Sequence, residues 1–532
     1  MPISKQYEAH TILKSLLPER TRSWLRDRRD KAERGLILFD RVTNWNVLRR
    51  LRPYRPEFGR RRGACIDRLY IEEFLNSHKD CIRGRVAEFE SDDYTRKFGE
   101  GRIEASEILD VNEQNTRRTL TLDLMQPATV PEASFDCVIC TQTLLFIRDY
   151  RTALESLWKM LKPGGILLAT VPGICPVVRG NLIAGAGEDY WRFTSSSARR
   201  IFAEVFADGN VAVHTYGNVL SAVAFLHGLV QAELSREELE FHDPPYELII
   251  GIAATKAPVD EEHEAQRPLA ATEDLEEPNP GAWEQMKYRV PKPVRHWLNL
   301  RREVVERKMI HVDRVTQWSV LRRVHPYRQR FGERRGECID RYYIEKFLEK
   351  NQQLIHGRVA EFLDNGYTIR FGRDRVTESD VIDIDENNQQ RTVTLDLAQT
   401  DSAPESLFDT ILCTQTLLLI FDFPSAIRTL HKMLKPGGVV LTTVPGICRR
   451  LPHDMLDGGD ADWWRFTGRS AELTFSEAFG AENVSIQTFG NVLTTTAFLH
   501  GLVQEELTAE ELAFKDPDFE LVIGIKATKA ST

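Results

Sequence analysis

The sequence predicts an α/β fold with a doubly wound, mostly parallel sheet of seven strands, and it predicts this fold twice in tandem. An internal repeat is the first observation, because the segment at 84–89 recurs at 357–362, an offset of 357 − 84 = 273 residues. The second is the alternation of short apolar runs, rich in β-branched residues, with longer amphipathic segments. The third is that the offset stays constant from Trp24 and Trp297 to Lys256 and Lys529, so each copy is a complete folding unit.

The elements of copy 1 follow from its apolar periodicity and its turn residues. Helices are predicted at 67–77, 149–161, 195–206 and 218–231. The second of them should stop at Lys162-Pro163-Gly164-Gly165, because proline and glycine end a helix and turn the chain into the next strand. Seven strands are predicted, at 85–89, 106–111, 118–123, 135–141, 165–171, 210–216 and 246–254.

The domain boundaries follow from the repeat and from one change in composition. Residues 258–286 are acidic, contain proline and lack apolar periodicity, which predicts a linker. Cutting the chain near Pro278 to Gly281 is expected to release two soluble halves. The fused pair is also expected to imitate a homodimer, with the copies packed as a pseudo-dimer. We divide the chain into an Arg-rich helical lead-in (1–64), domain 1 (65–257), the linker (258–286), a second lead-in (287–337) and domain 2 (338–532).

Composition and charge narrow the classes of partner. The chain is 42% hydrophobic and 28% charged, which is typical of soluble globular proteins, and its net charge of −9 argues against whole-protein affinity for nucleic acid or anionic membranes. No uninterrupted apolar run is long enough to span a membrane, and MPISKQYEAH lacks the apolar core of a signal peptide, so a cytoplasmic protein is expected. The Arg-rich stretch 20–62 carries interleaved aromatic residues, as nucleic-acid-binding segments do. Its admixed acids favour a solvated face or a contact between the copies.

Cysteine spacing gives one candidate redox or metal motif. Cys137 and Cys140 form a CxxC, but the matching residues of copy 2 are Thr410 and Cys413. Residues three apart on a strand point to opposite faces of the sheet. We therefore expect buried structural thiols and no metal site.

The order of the landmarks resembles that of class I S-adenosylmethionine-dependent methyltransferases, near the type 11 group. The resemblance covers about residues 65–256 and 338–529 and rests on Phe-Asp before the fourth strand, Leu-Lys-Pro-Gly-Gly before the fifth, Asp-Arg-Leu-Tyr-Ile-Glu (67–72) and Asp-Tyr-Trp-Arg-Phe-Thr (189–194). A bacterial subgroup with the last two segments often accompanies glycan-modifying enzymes. The resemblance implies a Rossmann-like methyltransferase fold, S-adenosylmethionine as cofactor and methyl transfer to an oxygen or nitrogen of a polar acceptor, such as a saccharide. The alternative is a catalytically inactive, methyltransferase-like binding or scaffolding protein. No catalytic residue is assigned.

The resemblance also implies that polar residues at the carboxyl ends of the strands bind the cofactor. In copy 1 these are Glu88, Asp92, Asn112, Asp123 and Gln142; in copy 2 they are Glu361, Asp364, Gly366, Asp385, Asp396 and Gln415. The position expected to hold the ribose hydroxyls is Asn112 in copy 1 and Asp385 in copy 2, so copy 2 is expected to bind the cofactor if only one copy does. Glu90 and Leu363 occupy positions where the family has glycine and are expected to narrow the pocket.

Several of these residues have a structural alternative. Glu88 and Glu361 could be strand-end acids satisfied by neighbouring backbone donors, and Gln142 and Gln415 could simply form a turn. The Trp-Arg segments combine aromatic and cationic groups in one loop, which suits a polar substrate but equally suits a packing corner. Their candidate substrate residues are Asp189, Trp191 and Arg192 in copy 1 and Asp462, Trp464 and Arg465 in copy 2. His227 and His500, within apolar helical runs, are interpreted as packed histidines.

Overall fold

The computed structural model describes residues 49–55, 57–60, 63–178, 188–258, 321–328, 330–332, 336–451 and 462–531. The predicted linker beyond residue 258, its cut site and most of both lead-ins lie outside these residues. Copy 1 contains α1 (Ile66–Ser77), β1 (Gly84–Phe89), α2 (Asp93–Gly99), β2 (Ile103–Asp110), β3 (Leu120–Thr121), β4 (Phe135–Thr141), α3 (Tyr150–Met160), β5 (Leu161–Pro172), β6 (Trp191–Phe193), α4 (Ser195–Phe206), β7 (Val211–Tyr216), α5 (Val219–Leu226), α6 (Arg236–Glu240) and β8 (Ile249–Thr255).

Copy 2 repeats this order, with a π-helix at Thr368–Gly372 in place of α2. Its elements are α7 (Ile339–Lys350), β9 (Gly357–Phe362), β10 (Val376–Asp383), β11 (Val393–Thr394), β12 (Phe408–Thr414), α8 (Phe423–Met433), β13 (Leu434–Pro445), β14 (Trp464–Phe466), α9 (Gly468–Phe479), β15 (Val484–Phe489), α10 (Val492–Leu499), α11 (Ala509–Ala513) and β16 (Val522–Thr528).

Each copy forms its own seven-stranded sheet, which confirms the predicted fold class. The strand order is β3-β2-β1-β4-β5-β8-β7 in copy 1 and β11-β10-β9-β12-β13-β16-β15 in copy 2. Only the second-last strand in each order, β8 or β16, runs antiparallel to both of its neighbours. The order of the parallel strands reverses between β1 and β4, and ligands of open α/β sheets bind outside the carboxyl ends at such a reversal.

Local sequence explains where the helices begin. Asp149 accepts hydrogen bonds from the amides of Arg151 and Thr152, so it caps α3. Thr194 and Asn218 each form a reciprocal capping box at the start of α4 and α5. The helix predicted at 149–161 ends at Met160, and the Lys-Pro-Gly-Gly segment already belongs to β5.

The two copies share one apolar core, on the sheet face covered by α3 and α4. Tyr150, Trp191 and Phe193 of copy 1 belong to the same buried cluster as Phe423 and Trp464 of copy 2. The indole of Trp191 lies 6.5 Å from that of Trp464, centroid to centroid. Residues that are core in the intact chain would therefore become surface in an isolated half, which revises the expectation that each half is soluble by itself.

The contacts between the copies are reciprocal, as at a two-fold interface. Strands β6 and β14 pair antiparallel, with Arg192 opposite Arg465. Arg49 binds Glu511 at 3.0 Å, and Arg322 binds Glu238 at the same distance; 322 − 49 and 511 − 238 both equal the repeat offset of 273. The copies therefore pack as a pseudo-dimer. The described residues of each lead-in thus include an arginine, Arg49 or Arg322, that contacts the other copy. These ion pairs support the interpretation of the Arg-rich stretch as a contact between the copies. Residues 20–48 of that stretch lie outside the described chain.

The CxxC cysteines are buried within β4 and form no disulfide. Burial raises the pKa of the Cys140 thiol to about 12, so the thiolate needed for redox chemistry or metal binding is disfavoured. No helix in the described part of the chain is long and apolar enough to cross a membrane.

His227 and His500 are fully buried at the ends of α5 and α10, as their interpretation as packed histidines requires. The Nε2 atom of His227 lies 3.1 Å from the Thr496 hydroxyl of copy 2. Neither ring nitrogen of His500 has a hydrogen-bond partner among the described residues. Burial lowers the pKa of both imidazoles from 6.5 to about 3.

These histidines predict a loss of stability in acid. The unfolded chain takes up their protons below pH 6.5, whereas the folded chain takes them up only near pH 3, so folding stability falls as the pH drops between these values. Each histidine should contribute about 1.4 kcal/mol per pH unit in that window. Thermal unfolding of His500→Leu at pH 7 and pH 4.5 should show a shallower pH dependence than the parent chain. An unchanged slope in His500→Leu would count against the assignment.

Candidate functional site

A cavity of about 680 Å³ lies in copy 1 beside the carboxyl ends of β1, β4 and β5. This is the place where the strand order reverses, and the volume is within the range of small-molecule sites. Its wall includes Asp67 and Arg68 from α1, Glu88 and Glu90 around the end of β1, Gln142 after β4 and Cys175 after β5. The cavity thus combines apolar surface with several carboxylates and two arginines, Arg60 and Arg68.

Glu88 is the second-last residue of β1 and is almost completely buried. Its carboxylate accepts hydrogen bonds from the amides of Tyr94 (3.1 Å) and Thr95 (2.7 Å) and from the Thr95 hydroxyl (2.8 Å). Burial outweighs these bonds and raises the pKa of Glu88 to about 7. Glu361 has the same three bonds to Tyr367 and Thr368. Both acids therefore hold the first loop in place, and Glu88 also lines the cavity.

The two first-loop positions where the family has glycine adopt a backbone conformation that is typical of glycine. Glu90 has φ 64° and Leu363 has φ 71°, the left-handed region that glycine adopts most easily. Leu363 is 62% exposed, so its side chain points to solvent. In copy 1 a cavity remains with Glu90 on its wall. The expected narrowing does not close the copy 1 site.

Asp92, Asp364 and Gly366 of the first loop are engaged within the protein. The Asp92 carboxylate pairs with Arg96 and with Arg117, each at 2.6 Å. Asp364 Oδ1 accepts the Gly366 amide at 2.8 Å. Asp92 is not part of the cavity wall, so the structure does not bring it together with Glu88 and Gln142.

The strand-end acid of β2 differs from the predicted one. β2 ends at Asp110 and β10 at Asp383, whereas Asn112 and Asp385 lie two residues further along, in the following turn. Asp110 accepts the Asn112 amide at 2.8 Å and the Asn115 side chain at 2.7 Å, and Asp383 accepts the equivalent pair. The predicted end of this strand, residue 111, is one residue later than the observed end at Asp110. Both copies carry a carboxylate there, which removes the ribose-hydroxyl argument for tighter binding by copy 2.

Asp123 and Asp396 follow the short third strand and cap turns. Asp123 accepts the Met125 amide at 2.9 Å, and Asp396 accepts the Ala398 amide at the same distance. Large apolar side chains stand exposed near these acids and next to the β2 and β10 ends: Val111 (58%), Met125 (39%) and Ile384 (65%).

Gln142 and Gln415 directly follow β4 and β12, at φ 51° and 50°. Gln142 lines the cavity, and its Nε2 donates to the Thr170 hydroxyl at 3.3 Å. The Nε2 atom of Gln415 is buried without a partner among the described residues. The turn interpretation and a ligand-facing position are thus both compatible with Gln142.

The six candidate substrate residues of the Trp-Arg segments do not face the cavity, which corrects that prediction. Asp189, Trp191, Arg192, Asp462, Trp464 and Arg465 are all buried in the interface between the copies. Arg192 forms a bidentate pair with Asp189 at 2.5 and 2.6 Å, and Arg465 pairs with Asp462. Trp191 donates its indole N–H to the Ile147 carbonyl at 2.9 Å. The segments are packing corners, because the second copy covers them.

Asp67 is a cavity residue that the sequence analysis did not assign to the site. Its Oδ1 is buried with no hydrogen-bond partner in the described residues, and its other oxygen lies 3.9 Å from the Arg68 Nε. Asp340 of copy 2 has the same unpartnered oxygen. Burial raises the pKa of both carboxyls. The repeated Asp-Arg lead-in was visible as a motif, but an unpartnered oxygen is a tertiary property.

Comparison with known families identifies the domains. A methyltransferase-domain family, type 11, matches residues 102–169, and another methyltransferase-domain family, type 23, matches residues 356–478. The chain carries two methyltransferase domains in tandem. Each match falls within one of the two copies, so the predicted resemblance is confirmed for both.

Solved structures add little beyond this. The chain is similar to a Haemonchus contortus phosphoethanolamine N-methyltransferase solved with S-adenosylmethionine, at 11% identity over 87% of this chain and 99% of that one (TM-score 0.25). A Mesorhizobium loti S-adenosylmethionine-dependent methyltransferase is similar at 16% identity over 36% and 98% (TM-score 0.25). The [4+2]-cyclase SpnF is similar at 16% identity over 36% and 81% (TM-score 0.24). No curated protein matches the chain. Likenesses this weak carry no argument about activity.

Proposed function

We propose that the protein transfers a methyl group from S-adenosylmethionine to an oxygen or nitrogen of a polar acceptor, a saccharide being one candidate. The observation that carries this proposal is the copy 1 cavity at the β1–β4 reversal, whose wall includes the buried Glu88 near the end of β1; Glu361 is the matching residue of copy 2. The first-loop backbone keeps the left-handed turn despite its missing glycine. The residues present therefore fit the cofactor.

Each part of the cofactor has a matching group in copy 1. Asp110 would accept the ribose hydroxyls, because two carboxylate oxygens offer about four acceptor positions and only two protein donors use them. Val111 and Met125 would pack on the adenine, with Asp123 accepting its amino group. Glu88 and Gln142, which both line the cavity, would lie toward the methionine end. In copy 2 the corresponding acids are Asp383, Asp396 and Glu361.

When bound, the cofactor supplies a methyl group activated by a positive sulfur. The protein's part is then to hold the acceptor in line with that methyl and to exclude water. A hydroxyl acceptor must also lose a proton, and the Asp67 carboxylate is the cavity group suited to take it. Its unpartnered oxygen can accept a hydrogen bond, and burial raises its pKa, which strengthens it as a base.

Calorimetric titration of the full chain with S-adenosylhomocysteine tests the proposal. Binding is expected, and Asp110→Asn combined with Asp383→Asn should weaken it about tenfold, because charged hydrogen bonds become neutral ones. Each single variant should weaken only its own site. Asp208→Asn, an exposed change outside the cavity wall, should bind like the parent chain.

No binding at millimolar S-adenosylhomocysteine would reject the proposal in favour of the inactive scaffold. The two first-loop positions without glycine are the observation that keeps this second candidate open. If binding is found, transfer from methyl-labelled S-adenosylmethionine should be screened over sugars, small alcohols and amines. Asp67→Asn, together with Asp340→Asn, should then reduce transfer to hydroxyl acceptors.

A further inference from the structure

We propose that copy 2 positions the cavity wall of copy 1, through the buried Asp189–Arg192 pair of copy 1. This inference rests on the proposed function for its meaning, but its geometry stands independently. Residues 173–178 follow β5 and contribute Cys175 and Val178 to the cavity wall of copy 1. The question is what holds this wall segment, residues 173–178, in place.

The wall segment is held at 175, 176 and 178 by one ion pair. Arg192 donates from Nε to the Cys175 carbonyl (3.1 Å) and from Nη2 to the Pro176 carbonyl (2.7 Å). Asp189 accepts the Val178 amide at 2.7 Å. Both side chains are essentially inaccessible to solvent. A buried bidentate pair has little freedom, so it fixes the backbone that it contacts.

Copy 2 in turn holds the segment that carries this pair. The Thr467 hydroxyl lies 3.0 Å from the Asp189 carbonyl and 2.9 Å from the Tyr190 carbonyl. Strand β14 pairs with β6 around Arg192. Copy 2 also contacts the wall directly, since the Val177 amide donates to the Asp518 carbonyl at 2.8 Å. A continuous series of contacts, from Thr467 through the Asp189–Arg192 pair to the wall segment, thus connects copy 2 to the cavity wall of copy 1.

The reverse connection exists in copy 2. Arg465 donates to the Arg449 carbonyl at 2.7 Å, and Asp462 accepts the Leu451 amide at 2.7 Å. The Thr194 hydroxyl of copy 1 lies 2.9 Å from the Asp462 carbonyl. Thr194 and Thr467 are thus crossed positioning residues: each belongs to one copy and acts on the other.

The test uses the full chain and the variant Thr467→Val, which removes the copy 2 hydroxyl that bonds to Asp189 and Tyr190 of copy 1. Hydrogen exchange at residues 175–178 of copy 1 should become about fivefold faster, the factor expected for one lost hydrogen bond. Thr194→Val should have the same effect on residues 448–451 of copy 2. Thr474→Val is the matched control, because its hydroxyl bonds only to the Ser470 carbonyl of its own helix. Thr467→Ser keeps the hydroxyl and should restore the parent rate.

The second readout is affinity for S-adenosylhomocysteine, measured in an Asp383→Asn background so that the copy 1 site dominates. Thr467→Val should weaken this binding several-fold, and Thr467→Ser should not. If Thr467→Val changes exchange only within α9, or equally throughout the chain, the crossed positioning is rejected. If the parent chain binds no S-adenosylhomocysteine, the proposed function fails, but the exchange experiment still decides the positioning.

Discussion

The variant Arg192→Met is expected to lower the free energy of unfolding by about 3–5 kcal/mol, because it leaves the Asp189 carboxylate buried without its cation. Contact with Asp189 raises the pKa of Arg192 even though burial opposes its charge, so the buried guanidinium stays protonated. The change also leaves the carbonyls of Cys175 and Pro176 without their hydrogen bonds from Arg192. Equilibrium urea denaturation, followed by far-UV circular dichroism, measures the loss.

An exposed pair gives the control. Arg236 binds Glu240 one helical turn away on the surface, and Arg236→Met should leave the unfolding midpoint nearly unchanged. A loss below about 1 kcal/mol for Arg192→Met would mean that the buried pair adds little to stability. In that case the wall segment would be held chiefly by its other contacts.

Separating the copies is expected to have the largest effect. Residues 1–257 expressed alone should be poorly soluble and lack a cooperative thermal transition, because β6 and the rings around Trp191 would face water instead of copy 2. Co-expression with residues 258–532 should restore a soluble complex. Solubility, size-exclusion chromatography and calorimetry measure the outcome.

A point variant in the intact chain makes the same prediction quantitative. Trp464 lies against Trp191 and Tyr150 of copy 1, and Trp464→Ala should cost about 3–5 kcal/mol. Trp158→Ala, a tryptophan 38% exposed, is the matched control and should cost much less. A half that stays monomeric and melts at the temperature of the intact chain would contradict the shared core.

The sequence was most informative where local patterns determine structure. The predicted strand 135–141 and helix 195–206 agree with the structure to the residue, because alternation and caps act within a few positions. The end of β2 was misplaced by one residue, and that small error moved the strand-end acid from Asp110 to Asn112. Strand ends depend on hydrogen bonds to the neighbouring strand, which sequence alone does not show.

The Trp-Arg segments failed as substrate residues for a different reason. A loop with tryptophan, arginine and aspartate has the same composition whether it faces a ligand or a second protein surface. What decides is the position of copy 2, which depends on contacts between residues about 270 positions apart, such as Thr194 with Asp462. For Asp67, likewise, only the fold shows that one oxygen lacks a donor.

The pairing of β6 with β14 joins two parts of a single chain, so its formation does not depend on protein concentration. In a dimer of identical chains, every substitution near the axis would appear twice. Here each side can change alone, and one such difference is already present. His227 has Thr496 as its neighbour, whereas the matching residue of copy 1 is Val223, and His500 lacks a partner in the described chain. The covalent link therefore lets one copy change its residues at the interface while the other copy keeps the original ones.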